Sequence, residues 1–412
     1  MNPSSFLAAS ALALLVALAP LSAVAAATEH ATAPVPKDEL LEKIPGIVQV
    51  VSAQCEGMLA RLNAGEAAAK LPRSFVNGKL VLVEPKDWTS GFFGGSLWYL
   101  YELTGDEKWK VAADQCTRRL DSVRHYTGNH DTGFRLYCSY GNGLRLAKVP
   151  GYKEALLDGA QALSTRFNPQ VGAIKSWDRK DWSYPVIVDN MMNLELMCWA
   201  TKASGDPKFK EIALSHANKT LANHFRPDSS SYHVVTYNPD TGAPELKKTW
   251  QGAADDSAWA RGQAWGLYGY TMMYRETKDP AYLEQAKKIA AFILHHPRLP
   301  GDKIPYWDYD APGIPNEERD ASAGAVTASA LIELSGMVEP KLGGEYLGLA
   351  RRQLLSLSSP AYLANPGENG NFLLMHSVGS KPHQGEVDVP LNYADYYFLE
   401  ALLRYRAKIE GK

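Results

Sequence analysis

The chain has 412 residues, which is enough for one large hydrophobic core or two modest ones. Its 43 lysines and arginines nearly balance its 45 aspartates and glutamates, and no basic run stands out. This balance argues against a nucleic-acid partner, but it permits an anionic ligand held by a single pocket arginine. The 10 Trp, 21 Tyr and 11 Phe residues supply flat rings that stack on sugars, although such rings also fill cores.

The N-terminus carries an apolar run over residues 6–21, followed by A-x-A patterns at residues 23–25 and 25–27. This pattern predicts a signal peptide over residues 1–27, a short linker over 28–37 and a single domain over 38–412. No Lys or Arg precedes the run, so a retained N-terminal anchor is the alternative. We expect an exported, periplasmic protein whose mature form has no membrane segment.

The four cysteines, Cys55, Cys116, Cys138 and Cys198, show no C-x-x-C spacing and no metal-ligand pattern with the ten histidines. We therefore predict no metal and no cofactor. The cysteines are interpreted as small buried apolar residues, with a Cys55–Cys116 disulfide left open.

A recurring unit organises the rest of the chain: a mostly apolar helix, a tight turn, and an amphipathic helix. The turns at 104–109, 204–209 and 277–282 share a helix stop, an Asp suited to cap the next helix, and an aromatic residue three positions after that Asp. The first helices of the pairs are predicted near residues 91–104, 134–147, 189–204, 259–277, 321–336 and 391–406. Their partners are predicted near residues 106–124, 151–166, 206–224, 280–296 and 343–358.

A further amphipathic helix near residues 38–64 lacks a buried predecessor and completes a set of six inner and six outer helices. The sequence thus predicts an all-α fold, an (α/α)6 barrel closed by the N-terminal helix, with an open α-solenoid as the competing architecture. The alternating stretch 232–237 (YHVVTY) predicts a small hairpin before an inner helix.

Polar and aromatic residues that suit a binding site cluster at the starts of the inner helices. Because all inner helices of such a ring run the same way, these residues are predicted to line one funnel, where free helix N–H groups favour an anionic ligand. Each residue also has an ordinary structural interpretation, since Asp commonly caps helices, Arg261 has nearby acidic partners and aromatic residues fill cores. The set comprises Trp88, Phe92, His130, Asp131, Asp189, Asn190, Gln251, Arg261, Asp320, Ser322, His376 and Asn392.

Several blocks of the sequence resemble glycoside hydrolase family 88, the unsaturated glucuronyl hydrolases, which have an (α/α)6 barrel. These blocks are KDWTSGFFGGSLWYLYE (86–102), HDTGF (130–134), DNMMNLELM (189–197), SAWARGQAWGLYG (257–269), DASAGAVTASAL (320–331) and YADYYFLEAL (393–402). The resemblance implies that Asp189 is the general acid/base and Asp131 the second essential carboxylate. It further implies substrate contacts from Trp88, Phe92, His130, His233, Gln251, Arg261, Trp265 and His376.

The activity implied by the resemblance is removal of a 4,5-unsaturated glucuronyl residue from lyase-generated glycosaminoglycan oligosaccharides. Protonation at C4 and hydration at C5 require an acid that stays protonated near neutral pH, so we expect burial and Asp131 to raise the pKa of Asp189. The segment 388–395 departs from the family pattern and leaves the substrate open, as does 376–381, which is either a sulfate-reading loop or a solvated turn. The alternatives are an unsaturated galacturonyl or rhamnogalacturonyl hydrolase, an inverting glycosidase, and an exported glycan-binding protein without catalysis.

Overall fold

The structure is a computed structural model that describes residues 38–64 and 69–411. The predicted signal peptide and linker, residues 1–37, lie outside the described residues. The part from Glu39 onward forms one compact unit.

The six predicted inner helices, the first of each pair, are all present as helical segments. They are buried along most of their length because Gly, Ala and aromatic residues replace charge on nearly every face. The segments are α2 (Ser90–Thr104), a π-helix (Gly133–Gly141) continued by α4 (Asn142–Ala147), a 3₁₀ helix (Val188–Asn193) continued by α6 (Leu194–Ser204), α8 (Ala260–Thr277), α10 (Ala321–Leu334) and α12 (Asn392–Glu410).

The outer helices are amphipathic and begin where the turn chemistry predicts. Asp106 and Asp279 each accept a hydrogen bond from the backbone N–H two residues later, so the predicted caps are confirmed. The outer helices are α1 (Glu39–Asn63), α3 (Glu107–Arg118), α5 (Tyr152–Ser164), α7 (Lys208–Asn223), α9 (Pro280–His295) and α11 (Pro340–Leu357).

The inner segments form a ring in chain order, in which each packs against the next and α12 returns to α2. Helix α1 packs against both α2 and α11, so the N-terminal helix fills the gap in the outer layer. The predicted (α/α)6 barrel is therefore confirmed. At one end of the ring, Asn392 at the start of α12 donates to the carbonyl of Thr89, just before α2, at 2.9 Å.

The π-helix lies unusually close to α2. A Cβ built on Gly91 would lie 2.3 Å from the carbonyl oxygens of Phe134 and Arg135, and one on Gly95 would lie 2.5 Å from that of Cys138. Only glycine at these two positions allows the backbones to approach so closely. The sequence predicted an ordinary helix here and missed the wider turn.

Short antiparallel strands lie in the segments that connect some of the helices. The predicted hairpin at YHVVTY is present as β6 (Val234–Tyr237) and β7 (Pro244–Lys248), with β5 (Pro185–Ile187) completing a three-stranded sheet. Three further pairs were not predicted: β1 (Leu71–Val76) with β2 (Lys79–Val83), β3 (Phe167–Asn168) with β4 (Ala173–Ile174), and β8 (Ser377–Ser380) with β9 (Gly385–Val389).

All four cysteines are free and buried, so the Cys55–Cys116 disulfide left open from the sequence is not formed. Among the described residues, no helix has the length and apolar character needed to cross a membrane. The same residues contain no group of three or more His, Cys, Asp or Glu side chains arranged to hold a metal ion.

Candidate active site

The starts of the inner segments converge on one narrow cavity of about 70 Å³. Both predicted carboxylates and four of the eight predicted contact residues line it. The lining consists of Trp88, His130, Asp131, Phe134, Trp177, Ile187, Asp189, Gln251 and Arg261.

Asp189 lies in the 3₁₀ turn that begins the third inner segment, directly after strand β5. Asp189 is only 8% exposed, and burial raises the pKa of its carboxyl to about 7. The Arg261 guanidinium and its own backbone N–H oppose this rise, while Asp131 adds to it. Asp189 is therefore able to donate a proton near neutral pH.

Asp131 lies at the start of the second inner segment, and burial likewise raises its pKa to about 7, against the opposing charges of Arg135 and Arg166. One oxygen lies 3.2 Å from Nε2 of His130. Burial lowers the pKa of His130 to about 3, so this imidazole is neutral at physiological pH. Burial, rather than repulsion between the two carboxylates, is thus the main cause of both raised pKa values.

Neither carboxylate caps its helix. The N-cap residue is Thr132 in the π-helix and Ile187 in the 3₁₀ turn. Among the described residues, no side chain makes a capping hydrogen bond at either of these two starts. Asp320, by contrast, does cap α10 through the N–H groups of Ser322 and Ala323. The ordinary interpretation of Asp131 and Asp189 as helix caps therefore fails.

A raised pKa alone does not mark a catalytic group in this protein. Burial also raises the pKa of Asp395 to about 7, although Asp395 accepts hydrogen bonds from the N–H groups of Leu373 and Leu374 and does not line the cavity. Position in the cavity is what distinguishes Asp131 and Asp189 from this structural carboxyl.

His233 faces Asp189 rather than the cavity lining. Its Nδ1 accepts hydrogen bonds from the backbone N–H groups of Trp250 and Gln251, at 3.1 and 3.2 Å. Since burial lowers the pKa of His233, the ring is neutral and its one proton resides on Nε2, which lies 3.6 Å from Oδ2 of Asp189. The imidazole is therefore oriented by backbone to point an N–H at the carboxyl.

Arg261 and Gln251 line the cavity, but their side chains already donate hydrogen bonds to other parts of the protein. Arg261 forms a fully buried ion pair with Asp320 at 3.0 Å, and its two terminal nitrogens also donate to the carbonyls of Val378 and Gly379. Gln251 Nε2 donates to the same Gly379 carbonyl at 2.9 Å. Of the three side-chain nitrogens of Arg261, Nε is the one without a hydrogen-bond partner among the described residues.

The aromatic residues form a cluster beneath and beside the carboxylates. Phe92 and Trp265 are fully buried, and both pack against Phe134, with ring centroids 5.5 and 5.2 Å away. Trp88 lines the cavity and packs against Tyr393 at 4.9 Å. Of the three predicted aromatic contacts, Trp88 alone reaches the cavity, while Phe92 and Trp265 support it from below.

His376 is not a lining residue of the cavity. Its side chain is 42% exposed, and Nδ1 lies 2.6 Å from the carboxylate of Asp388. Nearby, Lys381 pairs with Glu317 and Glu318, so its ammonium is already neutralised. This pairing argues against a sulfate-reading loop, and residues 377–380 form the largely buried strand β8 rather than a solvated turn.

Comparison with known proteins establishes the family. No family model matches the chain. An unsaturated glucuronyl hydrolase from Formosa agariphila is 47% identical over 350 residues, which cover 83% of this chain and 86% of that protein. The chain belongs to the unsaturated glucuronyl hydrolases. It is a hydrolytic enzyme of glycoside hydrolase family 88, as the sequence motifs indicated.

Two further comparisons place the chain within the family. A crystal structure of an unsaturated glucuronyl hydrolase specific for heparin superposes with a TM-score of 0.86 and 47% identity, covering 90% of this chain and 98% of that one. An unsaturated chondroitin disaccharide hydrolase from Streptococcus pyogenes is 33% identical, covering 80% of this chain and 84% of the relative. The galacturonyl, inverting-glycosidase and non-catalytic alternatives are not favoured.

Three residues of this hydrolase's cavity were missed from the sequence. Trp177, Phe134 and Ile187 line it, and Trp177 also packs against the His233 ring at 6.1 Å. A signal for Trp177 was available, because two tryptophans stand close together just before Asp189, in a loop without helical periodicity.

Proposed function

We propose that this enzyme removes the unsaturated glucuronyl residue by hydrating its C4=C5 double bond, with Asp189 as the acid and base. The carrying observation is that Asp189 and Asp131 share one cavity, are both buried, and both have pKa values of about 7. A carboxylic acid that remains protonated near neutral pH is what protonation of an enol ether requires.

The proposed reaction begins with a proton transfer to the substrate. The Asp189 carboxyl gives its proton to C4, and positive charge develops at C5. The resulting carboxylate removes a proton from water as the water oxygen bonds to C5, which regenerates the acid. The hemiketal then opens: the ring C5–O bond breaks, the proton of the C5 hydroxyl passes to the ring oxygen, and a ketone forms at C5. C1 now carries a hydroxyl beside the glycosidic oxygen, and this hemiacetal collapses to an aldehyde as the C1–O bond breaks and the hydroxyl proton passes to the departing sugar.

His233 and Arg261 support this cycle in different ways. The Nε2–H of His233 stabilises the carboxylate form of Asp189 after it has given up its proton, because a donor near a carboxylate favours the ionised state. Asp131 and Arg261 line the same cavity, where the guanidinium of Arg261 supplies positive charge for the substrate carboxylate.

The test is Asp189→Asn, assayed by loss of ultraviolet absorbance of an unsaturated disaccharide. Turnover should fall by roughly 10²–10⁴-fold, while binding of the disaccharide remains. Asp106→Asn is the matched control, since Asp106 is an exposed helix cap and Asn caps equally well. Near-normal turnover by Asp189→Asn would rule out the assignment.

The substrate class that fits best is a glycosaminoglycan disaccharide left by a lyase. The similar proteins include one named as specific for heparin and one named for chondroitin disaccharides, so a panel of both, differing in linkage and sulfation, decides between them. Because Lys381 is paired with two glutamates, we expect no advantage for a sulfated sugar from this lysine. A large rate gain with sulfate that Lys381→Ala removes would contradict this.

Export to the periplasm is also part of the proposal, on the strength of residues 1–27 alone. Fractionation of cells that express the full chain, with N-terminal sequencing of the mature protein, tests it. A cytoplasmic protein that retains residues 1–27 would refute it.

A further inference from the structure

A second and much larger cavity lies at the opposite end of the ring. It has a volume of about 720 Å³ and is lined by the later turns of the inner segments, including Glu102 of α2, Arg145 of α4, Trp199 of α6 and Ala407 of α12. The catalytic cavity lies at the starts of these segments, so the two cavities face opposite ends. We call this second space the rear cavity.

Phe134 separates the two cavities, since it lines both of them. Trp265 and Tyr397 reinforce the partition: the Trp265 ring lies 5.2 Å from that of Phe134 and 5.4 Å from that of Tyr397. None of the carboxylates or histidines of the catalytic cavity lines the rear one. The rear cavity is therefore a separate chemical environment.

The deep wall of the rear cavity is a hydrogen-bonded network centred on Glu400. This carboxylate accepts hydrogen bonds from the hydroxyls of Tyr99 at 2.8 Å, Tyr268 at 3.1 Å and Ser329 at 2.5 Å. Arg404 in turn donates to the Tyr268 hydroxyl at 2.9 Å. Hydroxyls and a carboxylate fixed in this way form a preorganised polar surface.

Three acidic residues that line the rear cavity are paired with arginines. Glu102 and Arg145 form a two-bond ion pair at 2.7 and 2.6 Å, Glu195 pairs with Arg275, and Arg404 lies 3.5 Å from Glu400. An ionic ligand placed at these residues would have to break one of these pairs, which is costly in a partly buried site. This part of the lining therefore suits a neutral ligand.

Aromatic faces complete the site. Tyr137 and Trp199 are partly exposed, line the rear cavity and pack together with ring centroids 6.2 Å apart. Flat aromatic faces beside fixed hydroxyl and carboxylate groups match a sugar ring, which offers C–H faces and a girdle of hydroxyls. The volume falls within the range of small-molecule sites.

We propose that the rear cavity is a second, non-catalytic binding site for a neutral mono- or disaccharide. This proposal does not depend on the catalytic roles of Asp189 and Asp131. A purely water-filled cavity is the outcome that would refute it.

The test measures binding of N-acetylglucosamine and maltose to the full-length enzyme by ligand-observed NMR and calorimetry. Ala407→Trp, which places a bulky ring at a partly exposed lining position, should weaken binding by about tenfold or more. Ala281→Trp is the matched control, because Ala281 is exposed on the outer helix α9 and does not line the cavity. It should bind like the wild type.

Two further variants keep the result interpretable. Trp199→Ala removes an aromatic face without filling the cavity, and it should weaken binding even if Ala407→Trp folds poorly. Trp88→Ala alters only the catalytic cavity and should leave sugar binding intact. Absence of binding at millimolar sugar, or binding that Trp88→Ala abolishes and both rear-cavity variants retain, would overturn the proposal.

Discussion

Replacing Asp189 by Asn should stabilise the fold while it removes the activity. The folded protein holds a proton on this carboxyl up to pH of about 7, whereas the unfolded chain releases it near 3.8. Between these values the folded state binds more protons than the unfolded state, so its stability falls as the pH rises. Above pH of about 7, ionisation of the buried Asp189 lowers the free energy of unfolding by its full amount. That amount is about 4 kcal/mol, at about 1.36 kcal/mol per pKa unit.

Asn is the neutral near-isostere of protonated Asp and avoids this cost. At pH 8 we expect Asp189→Asn to exceed the wild type by about 4 kcal/mol in free energy of unfolding, or roughly 5 °C in melting temperature. At pH 5 the difference should shrink to about 2 kcal/mol, because the folded wild type then keeps its proton and only the unfolded chain still ionises.

Urea unfolding at both pH values measures this difference directly. Asp106→Asn, at an exposed cap, should show little change in stability between the two pH values. Equal stability of Asp189→Asn and the wild type at pH 8 would show that burial does not burden this carboxyl. The reasoning about its pKa would then fail, and with it the argument for an acid poised near neutrality.

Three further predictions concern the same site. The value of kcat/KM should fall as the pH rises through about 7, since the protonated form of Asp189 is the reactive one, and a flat profile from pH 6 to 9 would contradict this. His233→Gln should lower kcat by roughly 10²-fold with a small change in KM, because the Nε2–H of His233 faces the Asp189 carboxyl and favours its ionised form after proton transfer. A change in KM alone would indicate substrate contact instead. Asp320→Asn keeps the cap of α10 but leaves Arg261 without its buried partner, so urea unfolding should show a loss of about 3 kcal/mol, which an undiminished stability would refute.

The parts of the fold that the sequence predicted are those encoded locally. Asp106 and Asp279 mark helix starts within a few residues, and the apolar character of the inner helices is visible along each segment. Convergence of the inner-helix starts then follows from ring geometry, which is why Asp131 and Asp189 could be placed together. The pairing of distant residues was beyond such reasoning.

The β8–β9 hairpin illustrates that limit. Arg73 holds Glu386 across 313 positions of sequence, and Gly379 occupies donors of both Gln251 and Arg261. No period or turn motif encodes these contacts, since backbone carbonyl acceptors carry no residue identity. The family resemblance implied substrate contacts from Gln251 and Arg261, and the structure adds that both residues donate hydrogen bonds to the hairpin.

The catalytic cavity carries little net charge when its two carboxyls are protonated. Below pH of about 7, Asp131 and Asp189 are both neutral, the His130 and His233 rings are neutral, and the charge of Arg261 is matched by Asp320. A substrate carboxylate thus enters a nearly neutral pocket. Its negative charge opposes ionisation of Asp189, so the bound substrate itself helps to keep the proton that its double bond must receive.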